Sequence, residues 1–216
     1  MTNKNAFTKD VNFINYKSCQ IDKTVTFGKN VTIYPNNIIK GKTHISDNTT
    51  IKANNYISDC IILENTEIEY SFLEQSEIGK NVKIGPFSRI RPNSKIGDNC
   101  KIGNFVEVKN STLKQTTKAS HLAYIGDSII GQNCNIGCGA IFVNYNGKEK
   151  NQTIVGNNCF IGSNVNLIAP LNINDNTYIC AGTTLTQNTN EYDFVIGRVK
   201  ETIKPQRAKK YLKENK

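Results

Sequence analysis

The sequence predicts an all-β chain wound into a parallel β-helix, and three observations predict it. Aliphatic or Phe residues return every six positions over long stretches, a small or β-branched residue often stands four places later, and Gly or Asn fills many positions between. The series runs through Ile21, Phe27, Ile33, Ile39, Ile45, Ile51 and Ile57. It becomes uneven at Ile62, Ile68, Leu73 and Ile78, then resumes at Ile84, Ile90, Ile96, Ile102 and Val108. It returns at Ile130, Ile136 and Phe142, and again from Val155 through Ile161, Leu167, Ile173 and Ile179 to Leu185. The small slot holds Val82, Ser88, Ser94, Cys100, Cys134, Ala140, Cys159, Val165, Thr177 and Thr183.

Each hexad supplies a short strand and a turn. The aliphatic residue points inward, the small residue tucks behind it, and Gly or Asn takes left-handed backbone angles at the corner. Neighbouring coils satisfy one another's backbone hydrogen bonds at a spacing of about 4.8 Å. Three hexads close a triangular coil, so residues 21–185 give about nine coils.

In chain order, residues 1–20 lack the rhythm and read as an irregular lead-in. Residues 21–197 form the β-helix domain. Residues 198–216 form a basic tail whose composition favours helix beyond Lys204, with Pro205 tolerated in the first turn. That end caps the solenoid or lies along a partner.

Composition sets outer bounds. The chain has 216 residues, no Trp and a formal net charge of +9. The tail from Arg198 onward holds eight Lys or Arg against two Glu, so most of the excess is local. A basic tail can bind nucleic acid, but no interleaved aromatic pattern supports that use, and neither nucleic acid nor membrane is expected as a partner. The polar start lacks a signal peptide and no run is long enough to cross a membrane, so a soluble, cytoplasmic protein is expected. Seven cysteines without C-x-x-C spacing read as reduced thiols rather than a zinc site. Cys100, Cys134 and Cys159 share the small slot and belong to the core. No metal is expected.

Chemistry is sought where the rhythm stops, between Val108 and Ile130 and between Phe142 and Val155. Polar residues crowd the span from Gly103 to Lys150. There are two histidines. His44 occupies an outward slot of an ordinary hexad, whereas His121 falls in the first interruption and reads as a loop histidine.

Several stretches there, in order, carry a resemblance. They are Ile84-Gly-Pro-Phe-Ser-Arg-Ile-Arg91-Pro92, Gly103-Asn-Phe-Val-Glu-Val-Lys109, Ser120-His121-Leu-Ala-Tyr124-Ile-Gly-Asp127, Asn135-Ile-Gly-Cys138-Gly and Asn144-Tyr145-Asn-Gly147, followed by Ile161-Gly-Ser163 and Ala181-Gly182. Over roughly residues 10 to 200 the chain resembles the acetyltransferase half of the bifunctional bacterial GlmU enzymes. They acetylate glucosamine-1-phosphate and then uridylylate the product. The hexads likewise resemble those of left-handed parallel β-helix proteins, and the handedness rests on that resemblance.

Acetyl transfer from a thioester to a sugar amine needs a deprotonated nitrogen, a base and donors for the developing oxyanion. The resemblance gives His121 the role of general base, and Glu107 is placed to accept its other ring N–H. It implies that Arg91 and Lys109 grip the sugar phosphate, for which a guanidinium and an ammonium are apt. Tyr124 and Asn135 would hold the sugar, and Lys150 would reach the phosphate. For acetyl-CoA as co-substrate it implies Cys138, Asn144, Tyr145, Ser163, Ala181 and Arg198. It further implies a homotrimer whose sites are shared between subunits, and it raises a separate uridylyltransferase as a partner.

The chain departs from the resembled pattern at Cys138, Val143, Asn146, Gln152 and Gln187. Nothing in it has the Gly-rich nucleotide loop and acidic ligands of the uridylyl-transferring half, so no uridylyl transfer is expected. The alternatives are transfer to another amino sugar or amine, a non-catalytic β-helix scaffold, and a carbonic anhydrase. The last needs three histidines at each zinc.

Overall fold

The computed structural model describes residues 10–212. Among them the chain is all-β, a left-handed parallel β-helix of about ten coils. One sheet of nine strands, from Thr26–Phe27 to Leu171–Ile173, forms one face of a triangular prism, here the third face. A nineteen-stranded sheet wraps the other two. The first face carries strands such as Val31–Ile33 and Thr50–Ile51, and the second carries Ile38–Lys40 and Tyr56–Ser58. Register partners in most coils are sixteen to eighteen residues apart, as in Glu67↔Lys83, Thr112↔Ile129 and Ile33↔Ile51.

The inward aliphatic residues stack coil upon coil into one core. Ile33, Ile39, Ile45, Ile51 and Ile57 are fully buried. Cys60 and Cys100 lie among them, and burial pushes both thiols up to about 11, so they stay protonated near neutral pH.

The three edges differ in chemistry. The edge between the third and first faces is almost all asparagine, with Asn30, Asn48, Asn81, Asn99, Asn133, Asn158 and Asn176 at positive φ. Asn tolerates that conformation better than most residues. Its amides bond along the axis, Asn133 Nδ2 donating to Asn158 Oδ1 at 3.2 Å and Asn158 Nδ2 to Asn176 Oδ1 at 3.2 Å. The glycine after an inward aliphatic residue takes the expected positive φ at Gly85 (φ 104°) but serves differently at Gly79. A Cβ on Gly79 would meet Asp98 Oδ1 of the next coil at 2.5 Å, and that oxygen accepts the Lys80 N–H at 2.8 Å.

One boundary moves. Val11–Phe13 pairs in parallel with Val31–Ile33, so the first coil begins inside the expected lead-in. Val11 and Phe13 pack against the core although they fall outside the hexad rhythm. Residues 1–9 of that lead-in lie outside the described residues. At the other end Phe194–Val195 closes on Tyr178–Ile179, but the described residues of the tail do not form the expected helix. They hold one 3-10 turn, Arg207–Lys210. Val199, Ile203, Tyr211 and Leu212 are exposed, and a short segment that buries no apolar face does not sustain a helix.

Candidate functional site

The first interruption expected in the repeat does not exist. Leu113, Ala119 and Ile125 occupy the inward slots between Val108 and Ile130, and all three are fully buried. An alanine in one slot and five-residue steps at 108–113 and 125–130 hide the rhythm. His121 is therefore on a strand rather than a loop. Lys101–Lys109 and Lys118–Gly126, nine residues each, run from the first face round the edge onto the second and pair along their length. Only one true insertion remains, where register partners Ile130 and Val155 are twenty-five residues apart.

The edge crossed by these strands changes character along the axis. Tyr70, Phe87, Phe105 and Leu122 take its positive-φ positions in successive coils, followed by Gly139, Asn164 and Gly182. Phe87, Phe105 and Leu122 are 55%, 58% and 56% exposed, and Phe87 stacks on Phe105 with centroids 5.7 Å apart. Gly139 and Gly182 (φ 75° at each) bring no side chain to the corner; Asn164 Oδ1 packs against Gly139, and at Gly182 the corner is bare.

The residue just before each of these corner positions forms a column. Asn104 and His121 are register partners. The register of Lys118, Asn135, Phe160 and Tyr178 carries the column on through Cys138, Ser163 and Ala181. Cys138, Ser163 and Ala181 are exposed. The Arg198 guanidinium closes the far end, its Nη1 donating to Ala181 O at 2.9 Å. The base candidate and four of the six cofactor candidates thus form one line, with about 4.8 Å between steps. Asn135 is exposed on the first face beside it.

The phosphate candidates gather at the next edge, where the second face meets the third. Arg91, Lys109, Asn110, Asp127 and Lys150 line one cavity beside Pro92 and Asn93. Tyr124 lies on the second face, and its ring covers Gly126, where a Cβ would meet Tyr124 Oη at 2.6 Å. Lys109 Nζ donates to both Asp127 oxygens, at 3.1 and 2.9 Å. Burial works against both charges of this pair, and the hydrogen bonds outweigh it. Asn110, Lys109 and Asn144 together hold the Asp127 carboxyl below its usual range, and Asp127 holds the Lys109 ammonium above its own.

The insertion rises from the same edge. Its ends are tied by the Asn151 N–H donating to Asn144 O at 2.7 Å, and Tyr145 and Lys150 bridge antiparallel. Asn146 Oδ1 accepts the N–H groups of Lys148 and Glu149, both at 2.9 Å. The oxygen that closes the turn is one that an Asp at this position would also provide. Asn144 is buried and Tyr145 exposed, so these two of the cofactor candidates sit with the cavity and not with the column.

One expected contact is replaced. Glu107 does not orient His121. Its Oε1 accepts from Arg91 Nη1 at 2.9 Å, and Asn104 Oδ1 lies 2.8 Å from His121 Nδ1 instead. Glu107 lies opposite Tyr124, three residues along the strand from the Asn104–His121 pair. Sequence reasoning missed Asn104 and gave Asp127 no role. The signal was available: each lies seventeen residues, one coil at this point, from the candidate it serves, Asn104 from His121 and Asp127 from Asn144.

Within one copy the base and the phosphate cavity do not meet. His121 is at one edge of the second face and Gly126, beside the cavity, is near the other. Five strand residues separate them, roughly 15 Å at about 3.3 Å each.

The fold is that of the hexapeptide-repeat left-handed β-helix proteins. The chain belongs to the family of the GMPPB C-terminal domain, matched over residues 16–91 and again over 72–191. It is 45% identical over 202 residues to the bifunctional protein GlmU of Clostridium kluyveri, covering 94% of this chain and 44% of that protein. The bifunctional protein GlmU of Clostridium novyi is also 45% identical, over 98% of this chain and 47% of its own length. The chain thus spans less than half the length of these curated relatives. A solved UDP-N-acetylglucosamine acyltransferase, LpxA from Bacteroides fragilis, shares the fold at a TM-score of 0.51 and 19% identity, over 83% of this chain and 69% of its own.

Proposed function

We propose that the chain transfers the acetyl group of acetyl-CoA to the amine of glucosamine-1-phosphate, with His121 as general base. The observation that carries this reading is the column. An imidazole at one end is joined to a guanidinium at the other by an exposed run of Cys138, Ser163 and Ala181. Three coil steps of about 4.8 Å suit an extended pantetheine arm, with the thioester beside His121 and the phosphates at Arg198. The bare corner at Gly182 lets the arm approach the backbone.

In the step itself the sugar nitrogen attacks the thioester carbon and loses a proton to the His121 Nε2 lone pair. The tetrahedral intermediate collapses by breaking the C–S bond, and the CoA thiolate leaves and takes up a proton. Asn104 supports this use of the ring, because its Oδ1 can only accept and therefore favours hydrogen at Nδ1 and the lone pair at Nε2.

The cationic cavity at the other edge fits a phosphate, with Arg91 and Lys109 held in place by carboxylates and Lys150 supplied by the insertion. A sugar phosphate is too short to bridge roughly 15 Å of strand. The reading therefore joins the column of one copy to the cavity of a neighbour, in a homotrimer about a closed threefold axis. Purified protein given acetyl-CoA and glucosamine-1-phosphate, with thiol release followed, tests the reading. Release dependent on that amino sugar supports it, and none with this acceptor overturns it.

A further inference from the structure

Three side-chain donors converge on Asp127, whose carboxylate has no part in the acetyl-transfer step. Its side chain is 11% exposed, and it occupies a positive-φ corner (φ 50°) above Asn110 (φ 47°) and Asn93 (φ 63°). Oδ1 accepts from Asn110 Nδ2 at 2.7 Å and from Lys109 Nζ at 3.1 Å. Oδ2 accepts from Lys109 Nζ at 2.9 Å and from Asn144 Nδ2. The main-chain oxygen accepts the Thr153 N–H at 3.4 Å. Asn144 is where the chain leaves its coil for the insertion, and Thr153 is where it returns. One residue of the coil below thus holds both feet of the loop that carries Lys150.

We propose that Asp127 is the positioning residue of the phosphate cavity, aiming the Lys109 ammonium and, through Asn144, fixing the 144–152 loop so that Lys150 faces Lys109. The inference deepens the acetyl-transfer reading and rests on it for what the cavity binds. A carboxylate is needed because all three side-chain partners are donors. An amide offers one acceptor oxygen and sets its own N–H groups against Lys109 or Asn144. A carboxylate beside an anion site ordinarily opposes anion binding. Here its lone pairs are taken up by donors, and Arg91, Lys109 and Lys150 outnumber it.

The test is Asp127→Asn in the full chain, read in two ways. Hydrogen exchange at the amides of residues 145–151 should quicken at least about tenfold, with Ile33 and Ile51 unchanged. The KM for glucosamine-1-phosphate should rise about ten- to a hundredfold, as expected for a lost charge-assisted network. Turnover and the KM for acetyl-CoA should shift less than about threefold. A purely structural role would lower the melting temperature and turnover without this split. Unchanged loop exchange, or an unchanged KM for the sugar phosphate, overturns the proposal. If the native protein releases no thiol with glucosamine-1-phosphate, the acetyl-transfer reading fails. Loop exchange and calorimetric binding of inorganic phosphate, native against variant, then decide the role of Asp127. Should Asp127→Asn fail to fold, Asn144→Ala keeps the Lys109–Asp127 pair and must still loosen the loop; protection retained in that variant overturns the proposal.

Discussion

Replacing Asn104 with Ala removes the single side-chain partner seen for the His121 ring. The bond is a neutral one, 2.8 Å from His121 Nδ1 to Asn104 Oδ1, with the imidazole exposed and Asn104 only partly buried. A hydrogen bond of this kind contributes about 0.5–1.5 kcal/mol net. If that free energy serves to hold the ring and its tautomer for proton abstraction, its loss lowers kcat/KM by about two- to tenfold. The melting temperature should barely move, since neither group is deeply buried. Glu107→Gln is the control. Glu107 is engaged by Arg91 at 2.9 Å in an ion pair about one-third exposed on either side, worth little to stability. That variant should raise the KM for the sugar phosphate by freeing Arg91 and leave turnover nearly unchanged. Steady-state thiol release with both substrates varied, alongside thermal melts, separates the two. The assignment of Asn104 as orienter fails if Asn104→Ala is kinetically silent while Glu107→Gln loses turnover.

His121→Ala should lower turnover by about two to four orders of magnitude without dissociating the oligomer, as checked by single-turnover kinetics and sedimentation. Arg91→Ala should chiefly raise the KM for glucosamine-1-phosphate, and an unchanged KM would remove Arg91 from the cavity's role. The Lys109–Asp127 pair predicts a pH dependence of stability. Asp127 is held below its ordinary 3.8, so its contribution is present above that value and fades as pH falls through the lowered one. Lys109 is held above 10.5, so its contribution is full below that value and fades as pH rises through the raised one. Denaturant melts of Asp127→Asn and the native chain should therefore differ most between about pH 5 and 9 and converge in strong acid. Phe142 is fully buried in the coil that bears the insertion, and Phe142→Ala should cost about 3–5 kcal/mol in the same melts.

Much of this fold could be read from the order of residues. A six-residue period places Ile33, Ile39 and Ile45 inward, because three short strands per coil leave each face one inward aliphatic slot per turn. The period misled where the slot was filled by Ala119 or the step shortened to five, so a strand carrying His121 read as a loop. The lead-in was misjudged for a related reason: Val11 and Phe13 pack on the core without matching the hexad. The tail's helix-favouring composition could not outweigh its lack of a surface to bury. Within the site, residue types pointed to a base, a cationic grip and a small-residue track. The choice between Glu107 and Asn104 as the imidazole's partner depended on strand register, which a sequence conveys only once the coil length at that point is known. Asp127 escaped notice because its partners are one coil below it and one coil above, far apart in sequence.

If a column from one copy works with a cavity from the next, two impaired variants should rescue each other when assayed with glucosamine-1-phosphate well below the KM of Arg91→Ala. His121→Ala retains the cavity and Arg91→Ala retains the base. Unfolded together and refolded as a mixture in equal amounts, they should regain about a quarter of native thiol release, the share of interfaces pairing an intact column with an intact cavity in a closed ring. Activity no greater than the average of the two variants alone would mean that each copy carries its own site, and the arrangement proposed here would be wrong.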